Sequence, residues 1–248
     1  MKPLSHSLDD HVRPLKGGLA ADYDPGICTM GFLAVRDGVD GFVVNSHCTQ
    51  DQGGVESTDY FQNNENNLSH YVGVEIADPT YSTGGSCPSG KKCRASDSAF
   101  VDLESETSYS IGYIYRTTGL GSRNISHISP EFRITDTVGF PMGGETLNKV
   151  GITTGWTQGS VTNTCVNMNQ TGTNFHFFCQ DVVSAGIGAG DSGSPVFELT
   201  HNPQSNDVAL YGLAWGGNSS EFVFSSLSNI EGSSELGGMW QCASGFSC

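Results

Sequence analysis

Residues 189–197 read Ala-Gly-Asp-Ser-Gly-Ser-Pro-Val-Phe, which sets Ser192 close to two glycines and then runs into an apolar segment. A serine hydroxyl is a poor nucleophile until a general base takes its proton, and the oxyanion formed on an attacked carbonyl needs N–H donors. Gly190 and Ser192 offer two such donors with little side chain in the way, and Gly193 lets the chain turn tightly behind the hydroxyl. An ordinary Gly-Ser turn explains Gly-Asp-Ser alone. The longer run entering a strand points to a nucleophile.

A nucleophile of this kind needs a base, and the chain has seven histidines: His6, His11, His47, His70, His127, His176 and His201. His47 ends the apolar run Phe-Val-Val-Asn-Ser-His and precedes Cys48, whose disulfide would fix the ring. The imidazole in turn needs a buried acceptor to hold its tautomer. Asp97 stands at the mouth of the apolar run Ala99–Leu103, whereas a strand period of two puts Asp102 on the opposite face. Asp97 is therefore the preferred partner.

The surrounding chain fits an all-β frame. It has 248 residues, 33 glycines and only 15% charged residues. Its apolar residues come in short Val, Ile, Phe, Thr and Tyr-rich runs broken by Gly, Asn, Asp and Ser. Phe32–Val35 and Gly41–Val44 read as a hairpin through an Asp37-Gly38 turn, and residues 49–69 read as a polar surface loop. Further strands are expected at 71–76, 99–103, 110–115, 148–153, 159–164, 175–181, 195–199, 209–215 and 221–225, with one helix at 226–233. That spacing suits two packed six-stranded barrels better than one sandwich.

Charge and cysteines narrow the function class. Eleven basic residues against 26 acidic give −15, which argues against nucleic acid and anionic membranes as partners. The acidity itself reads as solubility rather than recognition of a basic substrate. No apolar run is long enough to span a membrane. The eight cysteines fall into neighbouring couples, Cys28 and Cys48, Cys87 and Cys93, Cys165 and Cys179, Cys242 and Cys248. Without Cys-x-x-Cys or Cys/His ligand spacing they favour disulfides in an oxidising compartment over a metal site, although 105 connectivities exist. Asn67, Asn124, Asn169 and Asn218 head Asn-x-Ser/Thr sequons that secretion would open to glycosylation. Residues 1–26 form a polar lead-in without a secretory apolar stretch, open to removal as a pro-segment, and the cysteines favour a chain whose export signal is already gone.

Taken in order, Phe-Val-Val-Asn-Ser-His-Cys (42–48), Ser-Asp-Ser-Ala-Phe-Val-Asp-Leu (96–103), Val-Gly-Ile-Thr-Thr-Gly-Trp (150–156), Gly-Ala-Gly-Asp-Ser-Gly-Ser-Pro-Val-Phe (188–197) and Gly-Leu-Ala-Trp-Gly-Gly (212–217) resemble the chymotrypsin-like serine endopeptidases. The opening that runs from Cys28 through Gly-Phe-Leu-Ala-Val to His47-Cys48 resembles their bacterial, streptogrisin-type branch. The resemblance implies two antiparallel β-barrels within residues 27–248, about 27–115 and about 130–240, with the active site in the cleft between them. It implies peptide hydrolysis through an acyl-enzyme, with no cofactor, by a secreted monomer. His47 would be the general base, Asp97 its orienting partner and Ser192 the nucleophile, with the Gly190 and Ser192 N–H groups as oxyanion hole. Cys28 and Cys48 match the family disulfide beside the histidine, and Ala214-Trp215-Gly216 matches the strand that pairs with substrate backbone.

Three departures qualify the resemblance. Asp191 lacks the arginine that the bacterial branch often places at the position of Ile152, so Lys149, another basic residue or a processed N-terminus must satisfy it. Gly186 stands where trypsin-like members carry the pocket aspartate, and Leu213 and Ala214 stand where glutamate-specific members carry a histidine. By elimination an apolar or aromatic residue is expected before the cleaved bond, with Glu221 and Phe222 near the pocket. Ala214 also replaces a serine that often supports the catalytic aspartate, and no cysteine lies close before Ser192 to brace the pocket. Two rival readings are an α/β-hydrolase esterase and a silent binding module. The first needs Gly-x-Ser-x-Gly and a histidine after the serine, where only His201 follows. The second would ordinarily have lost a triad member.

Overall fold

In the computed structural model, residues 6–128, 130–200 and 206–248 are described; His201 lies outside them. The strands are β1 (Leu15–Gly17), β2 (Ala20–Tyr23), β3 (Gly26–Thr29), β4 (Leu33–Arg36), β5 (Val39–Val44), β6 (Asp59–Phe61), β7 (Tyr71–Ala77), β8 (Lys92–Arg94) and β9 (Ala99–Leu103). They continue as β10 (Tyr109–Ile114), β11 (Phe132–Thr137), β12 (Thr146–Gly151), β13 (Gly155–Asn169), β14 (Phe175–Val183), β15 (Pro195–Leu199), β16 (Asp207–Gly217) and β17 (Phe222–Ser226). The expected helix at 226–233 is a single turn, α1 (Leu227–Ile230). No helix among the described residues is long and apolar enough to cross a membrane.

Two β-barrel-like halves result. One sheet of seven strands runs β3-β2-β6-β7-β9-β5-β4, and one of ten runs β1-β10-β11-β16-β15-β12-β13-β14-β17 with β8 against β14. An added β16–β17 pairing closes β12 to β17 into a ring whose pairings are all antiparallel. The expectation was of two six-stranded antiparallel barrels, and the observed pairing extends beyond the six strands of this ring. The sheets hold seven and ten strands, and β1–β10, β11–β16 and β8–β14 pair in parallel. Parallel neighbours need long connections, and each of these three pairs joins segments far apart in the chain.

The lead-in packs into this fold. Leu8, Leu15, Leu19, Ala20 and Ala21 are fully buried, and β2 lies inside the seven-stranded sheet. Apart from the short run Leu19-Ala20-Ala21 these apolar residues stand singly and carry no strand period, yet two very short strands suffice to bring the segment into the core. The loop expected at 49–69 likewise contains β6, which pairs with β2 and β7.

Locally the sequence explains the elements that carry the site. Asp37 and Gly38 both take positive φ, 52° and 82°, so β4 and β5 are joined by the tight turn that Asp-Gly favours. Leu33, Phe42 and Phe100 are then buried in one core. Each neighbouring cysteine couple is joined: Cys28–Cys48, Cys87–Cys93, Cys165–Cys179 and Cys242–Cys248.

Candidate active site

His47 lies in a single 3-10 turn, Ser46–Cys48, directly after β5. The ladder between β5 and β9 pairs Val44 with Ala99, so the end of one strand meets the start of the other. Asp97, two residues before Ala99, thereby reaches the histidine: His47 Nδ1 is 2.5 Å from Asp97 Oδ2, and the His47 N–H donates to Oδ1 at 3.1 Å. The carboxylate is fully buried while the imidazole keeps 21% of its surface exposed. Burial pulls the imidazole pKa down, but the charge and hydrogen bond of Asp97 outweigh it and raise the value above the ordinary one. Asp102 pairs with Gly41 at the far end of the ladder.

The loop carrying Asp97 is pinned from several sides. Glu235 accepts from the Ala95 N–H at 2.9 Å, from Ser96 Oγ and from Arg94, whose guanidinium also pairs with Asp78. Asp78 accepts from Ser46 Oγ at 2.7 Å, so this network holds both His47 and Asp97 through their neighbours. Ala214 offers Asp97 no hydroxyl, but Ser225 Oγ accepts from the Asp97 N–H at 3.1 Å and donates to Gln180 Oε1 at 2.9 Å. Trp215 Nε1 donates to the same oxygen at 2.8 Å, and Gln180 Nε2 donates to Ala95 O at 2.7 Å. Gln180 therefore ties the Trp215 strand to the Asp97 loop.

The Ser192 loop is held between the two halves. The Thr29 N–H donates to Ser192 O at 2.7 Å, and the Gly193 N–H donates to Ala214 O at 2.8 Å. Thr29 adjoins Cys28, whose disulfide to Cys48 places His47 and the two sulfurs within 4.8 Å of one another. Gly193, at φ +91°, is where a Cβ would come 2.0 Å from Thr29 O, so only glycine fits. Thr29 Oγ1 donates to Gly190 O at 2.8 Å, and Thr153 Oγ1 donates to Ala189 O at 2.6 Å. With those carbonyls held, the N–H groups of Gly190 and Ser192 have no acceptor among the described residues. Ser192 itself is half-buried.

Asp191 has its partner in the fold. Lys149 Nζ on β12 lies 3.1 Å from Asp191 Oδ2, with both side chains fully buried. The carboxylate also accepts from the N–H groups of Thr153, Thr154 and Gly188, at 2.8, 3.1 and 3.0 Å, and from Thr154 Oγ1 at 2.6 Å. Burial pushes the Asp191 pKa up, but Lys149 and these donors outweigh it and hold it below the usual carboxylate range.

A cleft of about 360 Å³ opens beside His47, lined by Met168, Asn169, Trp215, Gly216, Asn218 and Val223. The tip of the β13–β14 hairpin forms one wall. Asn169 and Asn218 are exposed there, so a glycan on either would stand in the cleft; Asn124 is also exposed, whereas Asn67 is half-buried with its Oδ1 engaged by Ser69. Gly186 packs on the backbone of Ser219, and the neighbouring Ile187 reaches Gly217. Phe222 is fully buried in a core cluster against which Ile187 packs. The other described histidines lie elsewhere: His6, His11 and His127 line a separate hollow of about 590 Å³, His70 stacks on His11, and His176 bonds Asn169.

Thr29, Ser225 and Gln180 escape sequence reasoning, since a lone Thr, Ser or Gln in a strand carries no motif. The one available signal is a polar residue inside an apolar run.

No family model matches the sequence, and no curated protein matches it. Solved structures do. A glutamic acid-specific serine protease that uses a histidine triad in substrate binding is 19% identical, with a TM-score of 0.60 over 86% of this chain and 94% of that one. Thermobifida fusca protease A is 17% identical, with a TM-score of 0.62 over 92% of this chain and 98% of its own. Cellulomonas bogoriensis chymotrypsin is 18% identical, with a TM-score of 0.60 over the same shares, 92% and 98%. The chain thus has the fold of the bacterial chymotrypsin-like serine proteases. A nearly all-β chain of this kind is not the strand-helix alternation of an α/β-hydrolase.

Proposed function

We propose that the chain is a secreted serine endopeptidase that works through an acyl-enzyme, with His47, Asp97 and Ser192 as its triad. The observation that carries this reading is the buried Asp97 carboxylate on His47 Nδ1, together with a serine loop whose Gly190 and Ser192 N–H groups have no acceptor among the described residues. His47 takes the Ser192 proton as the hydroxyl attacks the carbonyl, Asp97 stabilises the imidazolium, and the two N–H groups receive the oxyanion. His47 then gives that proton to the leaving amine, and water repeats the sequence in reverse. The chemistry uses no cofactor. A protein or peptide is the substrate, its acyl half pairing with Ala214, Trp215 and Gly216. Four disulfides support an extracellular setting.

A serine-directed phosphonate or sulfonyl fluoride tests the reading directly. Stoichiometric labelling of Ser192 that disappears in His47→Ala is expected; no labelling of folded protein would favour a silent binding module on the same scaffold.

The specificity pocket reads as apolar. Gly186 supplies no counter-charge for lysine or arginine, and Leu213 and Ala214 supply no imidazole for glutamate. Cuts mapped in a peptide library should follow apolar or aromatic residues. Cuts mainly after Arg, Lys or Glu would contradict this.

Two further outcomes follow from the geometry. Catalysis needs neutral His47, and Asp97 favours the cation, so the acidic limb of kcat/KM should lie above the ordinary imidazole value of about 6.5. The same raised pKa stabilises the fold below about 6.5 and loses that contribution as pH rises through the folded value. Thr29→Val keeps the shape but removes the hydroxyl that holds Gly190 O. It should lower kcat about tenfold, the effect of about 1.4 kcal/mol, with KM little changed, because a loosened oxyanion hole is felt mainly in the transition state.

A further inference from the structure

β2 and β3 form a hairpin in which Asp22 faces Ile27 and Tyr23 faces Gly26. A hollow of about 420 Å³ at its tip is lined by Asp22, Tyr23, Asp24, Ile27 and Glu65, among others, with no basic residue in its wall. Asp22 is only 5% exposed, and neither of its carboxylate oxygens has a hydrogen-bond partner among the described residues; Oδ1 is sealed from solvent. Burial, with the charges of Glu65 and Asp9, pushes its pKa up to about 6. A buried carboxylate without a donor is costly, and a cation entering the hollow would relieve it.

The spread of the carboxylates selects the kind of cation. Among the described residues, the one group whose ligand atoms lie close enough to share a metal ion is Cys28, His47 and Cys48, and its sulfurs are spent in the disulfide. Asp22, Asp24 and Glu65 do not form such a group. They suit a guanidinium or ammonium group carried in on a flexible arm.

The hollow's position says where that arm comes from. Ile27 lies two residues before Thr29, about 7 Å along a strand, and the Thr29 N–H touches Ser192 O. The Tyr23 hydroxyl is 3.5 Å from His47 O. The opposite flank of the Ser192 loop is β16, bonded through Gly193 to Ala214 and through Ala214 to Ser194. If the acyl half follows β16, the leaving half passes β3, and at about 3.3 Å per extended residue its second or third residue reaches the hollow.

We infer that this hollow is a leaving-group-side subsite for a lysine or arginine two or three residues beyond the cleaved bond, an inference that rests on the peptidase reading above. Part of the chain's acidic surplus then has a recognition role, and its net charge of −15 steers such substrates toward it.

Internally quenched peptides that differ only in carrying Lys, Arg, Ala or Glu at those two positions test it, with the cut verified by mass spectrometry. The readout is the ratio of kcat/KM values within each protein, which cancels any change in active fraction. Wild type should prefer Lys or Arg over Ala by about tenfold, about 1.4 kcal/mol, and should prefer Glu least. The ratio should fall to about threefold or less in Asp22→Asn and, separately, in Glu65→Gln on the exposed loop. A flat preference in wild type fully labelled at Ser192 overturns the subsite alone, as does a preference that survives both substitutions. A thermal shift with calcium chloride, lost in Asp22→Asn and without any Lys/Arg preference, would make the hollow a metal site and overturn the inference. Absence of both cleavage and Ser192 labelling overturns the peptidase reading and the subsite together.

Discussion

Ser192→Ala should lower kcat by roughly 10⁶-fold while leaving the protein folded. Ser192 is half-buried in a loop whose backbone is held by Thr29, Ala214 and Asp191, so the substitution removes one oxygen and leaves those backbone bonds in place. His47→Ala should cost about as much, and the double variant scarcely more, because the pair acts as a unit. A residual rate of roughly 10³ to 10⁴ over water should persist, since the Gly190 and Ser192 N–H groups remain. Single-turnover kinetics on one peptide across the three variants measures this. A fall of only tenfold in Ser192→Ala would mean that another group attacks the carbonyl. Full additivity in the double variant would mean that His47 does not act on Ser192.

The contact of His47 with Asp97 was legible because its chemistry demands particular residue types at strand ends. An acceptor at the mouth of Ala99–Leu103 and a histidine at the end of the β5 run are unusual in apolar settings, and the period of two separates Asp97 from Asp102. The hairpin of β4 and β5 was equally legible, since Asp37-Gly38 names its own turn. Other parts carry no such local mark. Leu8 and Leu15 stand singly and Leu19-Ala20-Ala21 is too short for a period, so nothing in the sequence marks the lead-in as packed into the core. β8 has three residues, too few for any period, and takes its place by pairing along β14. Ser225 and Gln180 matter through a network that only the closed ring assembles. Gly186 illustrates a different loss: counting back from Ser192 names a residue but not the loop path that sets it against Ser219.

Lys149 falls between these cases, and its removal is the sharpest test of how the site is held. In the sequence it is one lysine in a strand, Asn148-Lys149-Val150, where a period of two predicts nothing special. In the fold every residue from Leu147 to Gly151 is buried, and the ammonium has nowhere to go except Asp191 and Thr154. Burial lowers the lysine pKa, with Asp191 opposing that, so the fold bears a desolvation cost to keep a charge there. The return is a serine loop fixed without a new N-terminal amine, because the ammonium is already in the chain. Lys149→Met keeps the length and the hydrocarbon but leaves Asp191 charged and buried, which should cost about 3–5 kcal/mol of stability. Activity should fall at least a hundredfold, because Asp191 is bonded to the Thr153, Thr154 and Gly188 N–H groups and its movement carries Gly190 and Ser192 with it. Acid should distinguish the variant from wild type. With Asp191 held below the usual range, wild type retains this contribution above pH about 4 and loses it as pH falls through the folded value. The variant lacks the pair at every pH, so the stability gap between the two proteins should shrink on acidification. Denaturant melts at pH 3 and pH 7, with Ser192 labelling rates at pH 7, measure both parts. A variant as stable and as quickly labelled as wild type would show that the loop is held by its backbone donors alone.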